Sequence, residues 1–229
     1  MVDDTGLAVL ARLGSRPIPR VVRMARVAAE LGHATVFCGA NRETGLAQDD
    51  EWQGIRVVRL GRFFPMLNGR HPWVYVRSVL SYNRALFRFL RNNRPTLVHA
   101  SDIETMPACM LYRRLNTVRL VYNIHDNVAQ RYNMPAVIRV LLNWLEGLCV
   151  RQSDVTVVPE EFRRAALPSW CRGKVKVVRN TPGDVSWSAP EPSPDGRIRI
   201  FFGGWLDWGR GLRALLDLAA ANPRIELRL

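Results

Sequence analysis

From residue 7 to about residue 180, short apolar runs alternate with longer stretches whose apolar positions recur every three or four residues. The short runs read as buried strands: Leu7 to Leu13, Ala34 to Cys38, Ile55 to Leu60, Thr96 to Ala100, Arg119 to Ile124, Asp154 to Val158 and Lys174 to Arg179. The longer stretches read as helices: Arg20 to Leu31, His71 to Asn93, Glu104 to Leu115, Pro135 to Arg151 and, more briefly, Glu160 to Ala166. Gly32 stops the first of these and Pro95 lies beyond the second, while Pro72 suits a first helical turn. Strand, helix and strand in this rhythm predict βα units of an α/β fold, an all-parallel sheet covered by helices on both faces. Such sheets bind ligands at the carboxyl ends of their strands.

The pattern breaks between Thr181 and Gly196, where Pro182, Pro190, Pro192 and Pro194 are interleaved with Gly, Ser, Asp and Glu. That composition predicts a linker over 181–196, which leaves one domain over 1–180. A further βαβ pattern follows at 197–229: Arg197 to Phe202, a Gly203-Gly204 turn, a helix from about Gly211 to Ala221, and Arg224 to Leu229. One such unit cannot bury both faces of its own sheet, so it is expected to be the opening of a larger, truncated domain or to dock elsewhere.

Composition narrows the class. Apolar residues make up 48% of the chain, as in ordinary globular proteins. The most apolar helix pattern is broken by Arg139, Asn143 and Glu146, so no membrane span is expected. Acids at Asp3 and Asp4 replace the basic start of a secretory signal, and a cytoplasmic location is expected. Cys38, Cys109, Cys149 and Cys171 form no CxxC pair and are expected to be buried free thiols. No metal cluster, carboxylate pair or nucleophile elbow appears, which leaves protease, metallohydrolase and kinase readings without support.

Charge adds a partner. The net charge is +13 and the pI near 10.8, and nearly all of the positive charge is arginine. Glu51 to Asp102 holds nine arginines and no acid between those two residues. An anionic partner is implied: phosphorylated substrates, a membrane surface or nucleic acid. No RRM, KH or helix-turn-helix pattern accompanies the charge, so nucleic acid is unlikely on this sequence. Arg77, Arg84, Arg88 and Arg91 share one face of the long helix pattern, Arg16, Arg20 and Arg23 line the first, and Phe63 to Leu67 is an apolar loop flanked by Arg62 and Arg70. Together they suggest peripheral attachment to the inner face of an anionic membrane, with a solvated arginine face as the alternative.

Four strand ends carry candidate chemistry. Asn123-Ile124-His125-Asp126 offers a His to bind a substrate hydroxyl or orient a reacting sugar, with an adjacent carboxylate to set its tautomer; alternatively Asp126 or Asn127 only caps a turn. Asp102, after His99-Ala100-Ser101, is expected to cap the helix near Glu104. Gly14-Ser15-Arg16-Pro17 lies where strand-to-helix turns bind anions. In the Phe202 to Gly211 segment, Arg210 opposes a helix dipole and so invites a phosphate, unless it is simply solvated.

Taken in order, these segments resemble GT-B glycosyltransferases of the large retaining group called glycosyltransferase family four. Leu97-Val-His-Ala-Ser-Asp102 and Val121-Tyr-Asn-Ile-His-Asp126 are similar to the family's "IHAHD … VYDxHD". Asp154-Val-Thr-Val-Val-Pro-Glu160 and Lys176-Val-Val-Arg-Asn180 are similar to "ADxVIxVSE … VxVIxN", and Gly203-Gly204 with Arg210-Gly211 to "VGxLxxxRG". Arg20 to His33 resembles the family's first helix. The resemblance implies two Rossmann-like domains, the first for the acceptor and the second for a nucleotide-sugar donor, with transfer in the cleft and no obligatory metal or other cofactor. It implies His125 and Asp126 as catalytic and Gly14, Ser15, Arg16, Asp102, Asn180, Gly204 and Arg210 as donor- or acceptor-binding, with His125 beside the donor sugar and Arg210 on the pyrophosphate. It implies a glycan or a lipid-linked acceptor. The family's loop often has Gly-Gly where this chain has Gly14-Ser15, and its downstream pair of glutamates would fall beyond Leu229. The chain on its own is therefore expected to be weakly active or inactive, and the alternative is a non-catalytic acceptor- or membrane-binding half-protein.

Overall fold

The computed structural model describes residues 6–65, 72–131, 135–181, 195–203, 206 and 208–229, with backbone only at Pro72, Gln130, Arg131 and Arg210. The chain divides into two compact units, Met1–Thr181 and Pro182–Leu229.

In the first unit the elements are β1 (Leu7–Arg12), α1 (Pro19–Glu30), β2 (Ala34–Ala40), β3 (Asp49–Trp52), β4 (Ile55–Leu60), α2 (Pro72–Asn93), β5 (Leu97–Ser101), α3 (Met106–Leu115), β6 (Arg119–Asn123), α4 (Val128–Arg131), α5 (Ala136–Gln152), β7 (Val155–Val158), α6 (Glu161–Ala166) and β8 (Val175–Val177). Short 3-10 turns stand at Ile103–Thr105 and Ser169–Lys174. The eight strands form one sheet in the order β3-β4-β2-β1-β5-β6-β7-β8. This is an α/β Rossmann-like sheet, as the alternation of strand and helix predicts.

One strand departs from the all-parallel expectation: β3 pairs antiparallel with β4. Asp49-Asp50-Glu51-Trp52 has no apolar alternation, so its sequence does not announce a strand. Charge and a turn build it instead. Gln53 and Gly54 both take positive φ, the requirement of a two-residue hairpin whose twist matches its strands. Asp49 then accepts from Arg56 at 2.6 Å, and Asp50 from the buried Arg59 at 3.2 Å.

The core is uneven across the sheet. On one face Val9, Val36, Val98, Leu120 and Val158 meet Tyr82, Leu86 and Leu90 of α2, Cys109 and Tyr112 of α3, and Cys149 and Val150 of α5. On the other, α1 alone covers Leu10, Phe37, Ile55 and Val57 with Val21, Val22 and Ala25. Leu31, at the C-terminal end of α1, is exposed. All four cysteines are buried free thiols, and burial pushes Cys109 and Cys149 up to about 12.

The second unit holds β9 (Ile198–Phe201), α7 (Leu212–Ala221) and β10 (Ile225–Arg228), with the two strands parallel and a 3-10 turn at Trp208–Arg210. Ion pairs from Arg199 to Asp195 and to Glu226 tie its strands together.

Candidate functional site

The carboxyl ends of β1, β5 and β6 lie side by side, because those strands are neighbours. From β1 the chain builds outward to β2 and later returns to build the other half from β5. This reversal is where open α/β sheets form their ligand crevice.

β1 ends on Arg12 and turns through Gly14, Ser15 and Arg16 into α1. With no Cβ, Gly14 leaves room for the end of the Arg12 side chain, whose Nη1 lies against it. Ser15 is buried and braces the turn: its Oγ accepts the Arg42 N–H at 3.1 Å and its carbonyl accepts from Arg59 Nε at 3.0 Å. Arg16 leans toward β3, paired with Glu43 at 3.0 Å and set over the Trp52 ring at 5.7 Å.

The arginines of α1 do not share an outward face, contrary to their spacing. Arg20 is buried, and its Nη2 has no hydrogen-bond partner among the described residues. Burial lowers its pKa, Arg23 lowers it further, and Asp102 acts in the opposite sense. The reason is position: Arg20 stands in the first turn of a helix packed over β1 and β2, so it turns in toward the strand ends. Arg23 reaches the end of the unit, donating to the Asn180 side-chain oxygen and to the Thr181 carbonyl at 2.6 Å.

β5 contributes His99 and Asp102. His99 is buried, neither ring nitrogen bonds another of the described residues, and burial with the nearby charge of Arg20 pushes its pKa down to about 4. Asp102 does not cap the following turn with its side chain. Its φ of 61° turns the carboxylate toward β6, where Oδ1 accepts the backbone N–H of His125 at 2.9 Å. Asp102 thus holds His125 through the main chain.

β6 delivers His125, partly exposed at the crevice. Its pKa is pushed down to about 3, by burial first and then by Arg20 and Arg12. The ring is therefore neutral at physiological pH, a hydrogen-bonding group rather than a cation. The Asn123 side-chain amide faces Nε2 at 3.1 Å and orients the ring. Asp126, expected to orient the ring, instead pairs with Arg163 at 2.9 Å. Behind the site, the buried Glu146 accepts the Tyr122 hydroxyl and, at 3.3 Å, the Val128 N–H, fixing the segment that follows His125. Burial raises its pKa to about 7.

The crevice thus joins a neutral imidazole to the buried charge of Arg20 and the half-buried charge of Arg12. A buried guanidinium lacking full hydrogen bonding is costly, and an anion arriving beside it would offset that cost. Over residues 17–183 the sequence matches the glycosyl transferase 4-like domain. The chain belongs to this family. No curated protein sequence matches it significantly.

Solved glycosyltransferases share the fold. Sucrose-phosphate synthase from Thermosynechococcus elongatus superposes with a TM-score of 0.74 at 12% identity, covering 97% of this chain and 61% of that one. Anabaena HepE, solved with UDP and glucose, gives 0.60 at 12% identity over 96% and 59%. MurG from Acinetobacter baumannii gives 0.54 at 13% over 98% and 65%. The chain therefore spans about three fifths of the synthase. Its sheet is that of a GT-B Rossmann-like domain.

Of the residues singled out in this glycosyltransferase-family chain, Asp102 and His125 are joined by a hydrogen bond, Gly14 follows the adjacent strand end, and Asn180 is held by Arg23 of α1. Gly204 and the side chain of Arg210 lie outside the described residues, as do Met66 and Leu67 of the apolar loop. No group of three potential metal ligands comes together among the described residues. Arg12, Arg20 and His99 were not singled out as site residues. Their one signal is a polar residue inside an apolar pattern, at the carboxyl end of a strand or the start of a helix.

Proposed function

We propose that this chain is the acceptor-side part of a retaining glycosyltransferase that moves a sugar from a nucleotide-sugar to a glycan or lipid-linked acceptor. The observation that carries the reading is the neutral His125 set beside the half-buried Arg12 and the buried Arg20 at the switch point of a sheet in this family. A neutral imidazole can accept from, or donate to, a sugar hydroxyl without competing for the phosphates. The fixed guanidinium charge suits a leaving diphosphate, whose negative charge grows as the glycosidic bond to it breaks. Asp102 and Asn123 act as positioning residues, one through the His125 backbone and the other through its ring.

In this reading residues 1–180 form the acceptor domain, 181–196 link it, and 197–229 open the donor domain. Gly14 is assigned to the donor phosphates, Arg16 and Asn180 to donor or acceptor binding, and Ser15 to bracing its loop, while Gly204 and Arg210 keep the donor-binding role that the family resemblance implies. The structural relative solved with UDP-glucose supports a nucleotide-sugar as the donor class. Four free thiols suit a reducing compartment such as the cytoplasm.

The test uses the native gene product, a panel of radiolabelled nucleotide sugars, and lipid and glycan extracts as acceptors. Labelled product from one nucleotide sugar, with release of its nucleoside diphosphate, is the expected result. Absence of both transfer and nucleotide-sugar binding across the panel would refute the reading.

A further inference from the structure

The helices α2, α3 and α5 cover one face of the sheet, and α3 packs against both of the others. Their outer surface is unusual in two respects at once. It is apolar: Trp73 is 78% exposed, Leu80 65%, Val137 79%, Val140 68% and Trp144 50%. It is also free of exposed acid. The three helices carry eight arginines and one acid, Glu146, and Glu146 is buried. Arg77, Arg84, Arg88, Arg91, Arg114 and Arg139 are exposed on them.

A groove of about 680 Å³ runs between α2 and α3, lined by Leu80, Phe87 and Leu111 with Arg84, Arg88 and Arg91. Apolar floor and cationic rim recur there at close range. A surface that met only water would not expose several large apolar residues together. A protein partner fits less well, because it would have to offer apolar area and acids spread over three helices. An anionic bilayer offers both everywhere, with acyl chains below and negative headgroups above.

We propose that the α2–α3–α5 face is a monotopic membrane-contact surface for anionic phospholipid. The first turns of α5 and α2 enter the headgroup region through Val137, Val140, Trp144 and Trp73, and Arg84, Arg88 and Arg91 hold headgroup phosphates. Binding is in the plane of the surface, for no helix among the described residues is long and apolar enough to cross a membrane. Arg16, Arg20 and Arg23 take no part, since Arg20 is buried and Arg16 and Arg23 are engaged within the fold. The proposal stands independently of the transferase reading, because binding is scored without any sugar donor.

The test is co-sedimentation of the full protein with vesicles of phosphatidylcholine alone or with added phosphatidylglycerol, at low and high salt. Binding should require phosphatidylglycerol and weaken as salt screens the headgroups. Arg84→Gln with Arg88→Gln should weaken it roughly thirtyfold, the loss expected from two basic residues at an anionic surface. The control pair Arg26→Gln with Arg179→Gln removes the same charge from exposed positions off this face, and should leave binding within about twofold of wild type on the same reasoning. Val140→Glu should also abolish binding, with circular dichroism confirming that the variant folds. Equal binding to neutral vesicles, no binding to anionic ones, or equal losses in the two arginine pairs would overturn the proposal. So would a stable dimer that Val140→Glu dissolves in the absence of lipid.

Discussion

Replacing His99 with leucine should make the fold less sensitive to acid. His99 is buried with both ring nitrogens unbonded to other described residues, and burial with the charge of Arg20 lowers its pKa from the ordinary 6.5 to about 4. The folded state therefore refuses a proton that the unfolded chain accepts. For a pKa depressed on folding, stability is fully present above pH 6.5 and is lost as pH falls toward 4. Within that window the loss is about 1.4 kcal/mol per pH unit, so at pH 5 it reaches roughly 2 kcal/mol. That is a large part of the roughly 5–15 kcal/mol typical of a domain. His99→Leu removes this single contribution, while His125 continues to titrate in both proteins. At pH 7 the variant should be at least as stable as wild type, because it also removes two unsatisfied polar atoms. Urea denaturation at pH 7, 6 and 5 gives the comparison. The gap between variant and wild type should widen in the variant's favour by roughly 2 kcal/mol from pH 7 to pH 5, on the same linkage. Parallel curves would refute the reasoning, and with it the claim that the charge of Arg20 reaches the strand-end histidines.

Glu146 behaves in the opposite sense, because burial raises its pKa to about 7. Its contribution is fully present below about pH 4.5 and is lost as pH rises through 7, so Glu146→Gln should gain on wild type by roughly 1.4 kcal/mol between pH 6 and 8.5; denaturation midpoints that keep a constant offset would contradict this. Arg59→Met should cost about 2–4 kcal/mol, because Arg59 is buried while donating to the Ser15 carbonyl at 3.0 Å and pairing with Asp50; a urea-measured loss below about 0.5 kcal/mol, the range of ordinary surface changes, would show that it does not anchor the Gly14–Ser15 turn. Limited proteolysis should cut first within residues 182–194, on the strength of their proline-rich composition; first cuts inside β5, β6 or β7 would contradict the proposed domain boundary.

Most of the fold was legible because apolar periodicity reports burial directly. Leu7 to Arg12 and Arg119 to Asn123 form strands where apolar runs stand, and Pro72 to Asn93 forms one long helix. β3 escaped because its stability lies in pairings with Arg56 and Arg59, residues of another strand that its own sequence does not display. The candidate site was legible at His125, Asp102 and Gly14 only as a placement at strand ends in short motifs, which the sheet order reproduces. It was not legible at Arg20. Helical spacing placed that arginine among Arg16 and Arg23 on an outward face, yet the docking of α1 over β1 and β2 turns it inward. Asp102 shows the same limit, since its positive φ and not its sequence neighbours decides that it serves His125 rather than a helix end.

The central claim is that His125 sits against the reacting sugar as a neutral hydrogen-bonding group. The most direct test is the turnover number of the native gene product and its His125→Ala and His125→Asn forms with the nucleotide sugar and acceptor that wild type uses. The account predicts a loss in kcat on the order of a hundredfold or more for alanine, the scale of one lost transition-state contact. It predicts partial recovery with asparagine, which keeps a neutral donor and acceptor, and unchanged unfolding midpoints in both. Wild-type kcat in His125→Ala, measured on a folded protein, would contradict it.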